Sequence, residues 1–197
     1  MKATFLQRFS AYILDVILLS IILGIISAAS LNGSNYSKLL EEQEELVNKY
    51  TKEEISIEEY QKEIKSLDYE ISKESYPSTI IGLIISSAYF IIFQYFNKGQ
   101  TIGKKLMGIK IRKRDGEKLK LIDIIIRAVI INSILTTIVS LVASLTLKID
   151  AYYIIKTTFG TLETLFVLVS SFMILYRQDK LGLQDIITKT EVVKEGK

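Results

Sequence analysis

Cysteine and histidine are absent from this 197-residue chain, and proline occurs once. These absences exclude disulfides, thiolate nucleophiles, Ser-His-Asp triads, imidazole metal sites and the usual neutral-pH proton shuttle. Any chemistry must run on Asp, Glu, Arg, Lys, Tyr and hydroxyl groups. No nucleophile and base stand together among these, so an enzyme is not expected, nor is a cofactor or a resident metal. The lack of cysteine leaves the redox compartment open, because a reducing cytoplasm and an unstapled exterior both tolerate it.

What the chain does contain is sorted into blocks. Residues are 49% hydrophobic and 24% charged, and runs of Ile, Leu, Val, Ser and Thr alternate with dense Glu/Lys tracts, the pattern of lipid-embedded segments joined by aqueous ones. Apolar windows near the roughly 20 residues needed to cross a hydrocarbon core fall at 6–31, 78–97, 121–147 and 157–176. Runs such as LLSIILGII are apolar on all sides, as helices in lipid are, rather than alternating with period two. The expected fold is therefore an all-α membrane protein. Its parts are a first transmembrane helix (1–31), an acidic helical insertion (32–77), a second helix (78–97), a basic loop (98–120), a third helix (121–147), a short outer loop (148–156), a fourth helix (157–176) and a tail (177–197). A cleaved signal peptide is the alternative for the first helix, since SAAS offers small residues at its end. The aspartate inside its apolar core argues against that.

Charge sets the orientation. Segment 32–77 holds twelve Asp/Glu against six Lys, whereas 97–120 holds nine Lys/Arg against two acids, and five more basic residues follow Tyr176. Positive short loops stay cytoplasmic, so both termini and the basic loop are expected inside and the acidic insertion outside. Coiled-coil spacing of Leu39, Leu46, Tyr50, Tyr60, Ile64 and Ile71 predicts a helical hairpin there, broken near 51–57 by capping-box patterns at Thr51 and Ser56. Pro77 marks its junction with the second span. Two roles remain open for this hairpin, a solvated spacer or an arm that binds a protein partner.

The loop GQTIGKKLMGIKIRKRDGEKLKL superficially suggests a phosphate-binding loop, but Gly99 and Gly103 are separated by three residues rather than four and Lys104 is followed by Lys105 rather than Ser or Thr. Alternation in MGIKIRK, the Asp115-Gly116 turn signal and EKLKL predict a short cytoplasmic β-hairpin instead. Its lysines suit the anionic inner leaflet of a bilayer. No aromatic residue interleaves the charge, so nucleic acid is not expected.

These features together resemble the RDD family of bacterial membrane proteins, named for one arginine and two aspartates. Arg8 and Asp15 match the arginine that starts the first helix and the aspartate within it. GQTIGKKLMGIKI followed by DG is similar to the family's loop motif, with Gly99, Thr101, Gly103, Lys104, Gly108, Asp115 and Gly116, and Arg127 falls where a later arginine commonly occurs. LGLQDIITKTEVV resembles the closing motif, which makes Asp185 the second aspartate. Gln184 stands where that motif usually has histidine, and the long acidic insertion is unusual for the family. The resemblance implies a multi-pass protein of the bacterial cell membrane and a role in transport, including cation/proton antiport.

Placing a carboxylate in a helix core costs roughly 2.5–3.5 kcal/mol on insertion scales, so Asp15 needs a partner. Depth counting at about 1.5 Å per residue puts Asp15 and Arg127 at similar levels. Asp15 is therefore expected to pair with Arg127, with Asp123 and Arg8 completing a cluster near the inner surface. Glu163 lies deeper toward the outside with no cation at its level. The seam Ala128, Asn132, Thr136, Ser140 and Ser144 is expected to face it, either as close-packing small residues or as a polar route linking Glu163 to Asp15. Two functions follow. One is a small-solute or ion transporter whose exchanging carboxylates are Asp15 and Glu163, which in so small a bundle calls for a homodimer. The other is a non-transporting accessory or stress-response protein that binds a protein or lipid.

Overall fold

The structure is a computed structural model that describes residues 1–30 and 35–195. The expected boundary between the first span and the insertion, at 31 and 32, lies outside the described residues. Helix α1 (Phe5–Ser30) is followed by α2 (Tyr36–Thr51) and α3 (Ile57–Glu74). The second span comprises α4 (Tyr76–Ser87), a π-helical segment (Ala88–Phe93) and α5 (Gln94–Phe96). Beyond it lie the short α6 (Ile102–Leu106), strand β1 (Ile109–Lys113), α7 (Leu121–Ile131), α8 (Ile134–Thr146), the long α9 (Ile149–Tyr176), the short α10 (Leu183–Ile187) and strand β2 (Thr190–Lys194).

Among the described residues, three helices are long and apolar enough to cross a membrane, over Phe5–Ile26, Tyr76–Phe96 and Ile149–Tyr176, and a fourth is present if α7 and α8 form one bent span. Their outer faces carry large apolar side chains such as Ile17, Ile25, Ile84, Leu162 and Phe172, all exposed. In water these would be a liability, whereas a bilayer covers them. Pro77 sits in the first turn of α4, where its missing N–H costs nothing.

Two expectations about the spans need correction. The third is not one rod: α7 and α8 are bent by 64° at Asn132 and Ser133, and Ser133 adopts a left-handed backbone with φ of 54°. The seam from Ala128 to Ser144 therefore does not run along one straight face. The expected outer loop 148–156 is helical instead, because α9 begins at Ile149, its start held by the neighbouring helix pair.

In that pair, α2 and α3 are joined over 52–56 and stack Tyr50 on Tyr60 with ring centroids 4.6 Å apart. The Ser56 hydroxyl accepts from the backbone N–H of Glu59 at 3.1 Å and caps α3. Thr51 instead ends α2, donating its hydroxyl to the carbonyl of Val47. α3 docks on the start of α9 through the Lys65–Asp150 and Lys156–Asp68 ion pairs and a hydrogen bond from Tyr69 to the carbonyl of Leu147 at 2.7 Å.

The basic loop does not fold on itself as a β-hairpin. β1 pairs antiparallel with β2 near the other end of the chain, with Ile111 opposite Val192, and Lys2 bridges to Val193. Asp115 and Gly116 do form a turn, with Gly116 at φ of 81° and the Asp115 carboxylate accepting from the N–H of Glu117. EKLKL then continues without strand structure, since TEVV offers a more apolar partner. The N-terminal residues, the 97–120 segment and the C-terminal strand thus form one cap, whose core is Ala3, Ala11, Ile109, Ile111, Ile124 and Val192. A second core, Leu19, Phe90, Ala128 and Ile134, packs α1, the π segment, α7 and α8 together.

Candidate functional site: a charged clasp and a polar cavity

The closing segment places Asp185 in the first turn of α10, where its carboxylate accepts from the N–H of Gly182 at 3.0 Å. It is fully buried. Arg8 of α1 donates to Asp185 Oδ2 at 2.6 Å and Arg127 of α7 donates to Oδ1 at 2.5 Å, so one carboxylate clasps two guanidiniums. Arg8 also reaches the carbonyl of Lys180 at 2.7 Å, and Arg127 the hydroxyl of Thr190 at 2.6 Å. Burial alone would raise the Asp185 pKa. The facing Arg127 and Arg8, with the hydrogen bonds they donate, outweigh burial and hold the carboxyl below its ordinary value.

Asp15 is not the partner of Arg127. It is 1% exposed and, with no cation in contact among the described residues, is held by neutral donors: Tyr89 donates to Oδ1 at 2.5 Å, Thr101 to Oδ2 at 2.5 Å and the backbone N–H of Gly103 to Oδ1 at 2.7 Å. The carboxylate lies at the start of α6, itself capped by Thr101, whose hydroxyl accepts from the N–H of Lys104. The depth argument counted only cations as partners, whereas three good donors can stabilise a buried carboxylate as well. The glycine of this motif is explained by proximity. A Cβ on Gly103 would lie 2.1 Å from the carbonyl oxygen of Ala11, so α6 meets α1 backbone to backbone.

Asp123 also leaves the expected cluster. Its carboxylate pairs with the buried Lys113 of β1 at 3.0 Å and accepts from the N–H of Lys120, which ties the strand to the start of α7. Gly99, at φ of 82°, accepts β1 closely: its carbonyl takes the N–H of Ile111 at 3.1 Å. Gly108, also left-handed, turns the chain from α6 into β1.

Above the clasp lies a cavity of about 640 Å³ bounded by α1, α7, α8, α9 and the π segment. Five charged side chains line it: Arg8, Asp15, Lys104, Arg127 and Glu163. Asn132, Ser133 and Thr136 line it at the helix break. The Ser133 hydroxyl donates to Glu163 Oε1 at 2.5 Å, and Thr136 donates to Oε2. Glu163 thus sits at the first turn of α8, where the leading backbone N–H groups have no intrahelical acceptor and the helix dipole favours a negative charge. Lys104 donates to Gln94 Oε1 at 2.9 Å. Burial pushes its pKa down to about 8, opposed by Asp15 and reinforced by Arg127. Ser140 lies outside this cavity, in a second space of about 350 Å³ with Ser72, Ser144, Tyr152 and Lys156. Thr136 and Gly160 line both spaces.

The charged residues expected from the sequence are therefore dispersed: Arg8, Arg127 and Asp185 form the clasp, Asp15 lies at the start of α6, Asp123 ties α7 to β1 and Glu163 sits at the break. Sequence reasoning missed Tyr89, Lys113, Ser133 and Thr190. Tyr89 lies in the π-helical segment, a feature frequent at functional sites that has no simple residue signature.

No curated protein and no solved structure matches the chain. The RDD family model matches residues 2–189, which include Arg8, Asp15, the glycine-rich loop, Arg127 and Asp185, and the chain belongs to the RDD family of membrane proteins.

Proposed function

We propose that this protein moves a small solute or ion across the membrane, with the cavity as the binding site and Glu163 as the carboxylate that exchanges its proton or cation. The observation that carries this reading is the broken third span. Discontinuous membrane helices whose half-helix ends face a cavity at mid-depth are the recurring architecture of carrier sites, and here the break at Asn132 and Ser133 meets an acidic side chain held, among the described residues, by two hydroxyls. Oxygen donors of this kind suit protons and hard cations. Asp15, occupied by three donors, is a structural clamp in this reading, so the exchange rests on Glu163. The charge asymmetry puts the cap of termini and basic loop on the cytoplasmic side, against anionic lipid, and the α2–α3 pair outside.

Purified protein reconstituted into vesicles and challenged with Na⁺, K⁺ and Li⁺ under imposed pH gradients tests the reading. Flux that is present in the wild type and lost in Glu163→Gln is the expected result. An absence of gradient-dependent flux would transfer the function to the accessory reading, in which the α2–α3 pair binds a partner.

A further inference from the structure

The charges around the cavity do not all cancel locally. Arg8 and Arg127 share Asp185, and Asp15 is satisfied by Tyr89, Thr101 and Gly103. Two others, of opposite sign, have neither a shared ion pair nor a full set of donors. Among the described residues, Lys104 has no carboxylate within 4.0 Å and Glu163 has no cation within 4.0 Å. Lys104 spends one of its three ammonium protons on Gln94, and Glu163 accepts from two neutral hydroxyls. Both line the same cavity.

We infer that this cavity binds a zwitterionic group, its anionic end at Lys104 and its cationic end at Glu163. The inference rests on the cavity being the binding site proposed above and names its ligand class. A simple cation would pair with Glu163 and leave Lys104 without a contacting anion, and a simple anion would do the reverse. A zwitterion satisfies both while carrying no net charge out of water. Ser133, which holds Glu163, and Arg127, whose charge bears on Lys104, line this same cavity. The cavity walls also carry Phe9, Tyr12, Phe90 and Phe166, and aromatic faces attract ammonium and alkylammonium groups. Free small zwitterions and zwitterionic lipid headgroups share this chemistry.

The test uses the full chain in nanodiscs made only of phosphatidylglycerol. Calorimetric titration compares glycine betaine and glycine with their half-ligands, acetate and choline. The expected result is saturable binding of a zwitterion that falls by about tenfold or more in Lys104→Gln and in Glu163→Gln, with each half-ligand about tenfold weaker than the whole, as loss of one charge-assisted contact predicts. Lys104→Arg and Glu163→Asp keep the charge and should retain most of the binding. If the glutamine variants do not fold, the half-ligand comparison on the wild type decides alone. In a second arm, native mass spectrometry on protein from membranes containing phosphatidylethanolamine distinguishes the source. Retention of that lipid by wild type and its loss in Lys104→Gln or Glu163→Gln, with no binding of free zwitterions, assigns the site to a headgroup and supports the inference. Binding of neither, or half-ligands that bind as well as the whole, would overturn it. Ion flux without zwitterion binding leaves the transport reading standing and sinks only this one, and zwitterion binding without flux does the opposite.

Discussion

Replacing Asp185 by Asn removes the charge that two arginines share while keeping the shape of the side chain. The carboxylate is fully buried, lies 2.6 Å from Arg8 and 2.5 Å from Arg127, and caps its own helix through Gly182. Asparagine retains one carbonyl acceptor, which at the Oδ2 position keeps the bonds from Arg8 and Gly182 and loses the one from Arg127, and two guanidiniums then face each other with no anion between them. Removing one partner of a buried ion pair costs about 3–5 kcal/mol. For a chain of this size that corresponds to a fall in Tm on the order of 10 °C. Thermal unfolding of purified wild type and variant, followed by near-UV circular dichroism, reads the difference. A pH series adds a sign. Because the folded pKa of Asp185 is depressed, its contribution is present above the ordinary aspartate value near 3.9 and is lost as pH falls through the lower folded value. The variant should lack that acid limb. Arg8→Gln in the Asp185→Asn background should cost less than in the wild type, because it removes an unpaired charge. A loss below about 1 kcal/mol, the size of an exposed pair, would refute the clasp as a buried, mutually dependent unit.

Asp15→Asn should be destabilising by about 1–3 kcal/mol, through a lost acceptor for Tyr89, Thr101 or Gly103 rather than a lost ion pair, and its cost should not change when Arg127 is replaced; coupling between the two in a double-mutant cycle would contradict their separation. Gly103→Ala, which forces a Cβ to 2.1 Å from the Ala11 carbonyl oxygen, should separate α6 from α1 and lower the melting temperature by more than Gly108→Ala, where no atom lies within 4 Å. Ligand binding that depends on charged Lys104 should weaken as pH rises through about 8, the value to which burial lowers this ammonium, and calorimetry between pH 7 and 9 measures it. In Lys104→Arg the decline should disappear, since a guanidinium stays charged.

The helices were legible in the sequence because their determinants are local. A 20-residue apolar run, Pro77 in the first turn of α4 and the Ser56 cap each act within a few residues. Arg8 and Arg127 were expected in one cluster with Asp15 and Asp123, whereas Asp185 was expected only as the aspartate of the closing motif; the structure joins it to both arginines. What failed was the choice of partner. Period-two alternation in IKIRK announces a strand, but its register with TEVVK is decided some eighty residues away, and nothing in a single strand names its mate. The depth count matched Asp15 to Arg127 because it weighed formal charge alone, whereas Tyr89, Thr101 and a backbone N–H were the better neighbours. The break at Asn132 and Ser133 contains neither glycine nor proline. Its left-handed residue, Ser133, donates to Glu163 of α9, a partner thirty residues away that only the tertiary fold supplies.

The central claim is that a water-accessible binding cavity exists at the break in the third span. The cysteine-free sequence allows a direct measurement: Thr136→Cys, at the break, and Ile84→Cys, on the apolar outer face of α4, are exposed in native membranes to a small water-soluble thiosulfonate. Position 136 should react readily while position 84 should not. Equal inertness at both positions would contradict the claim.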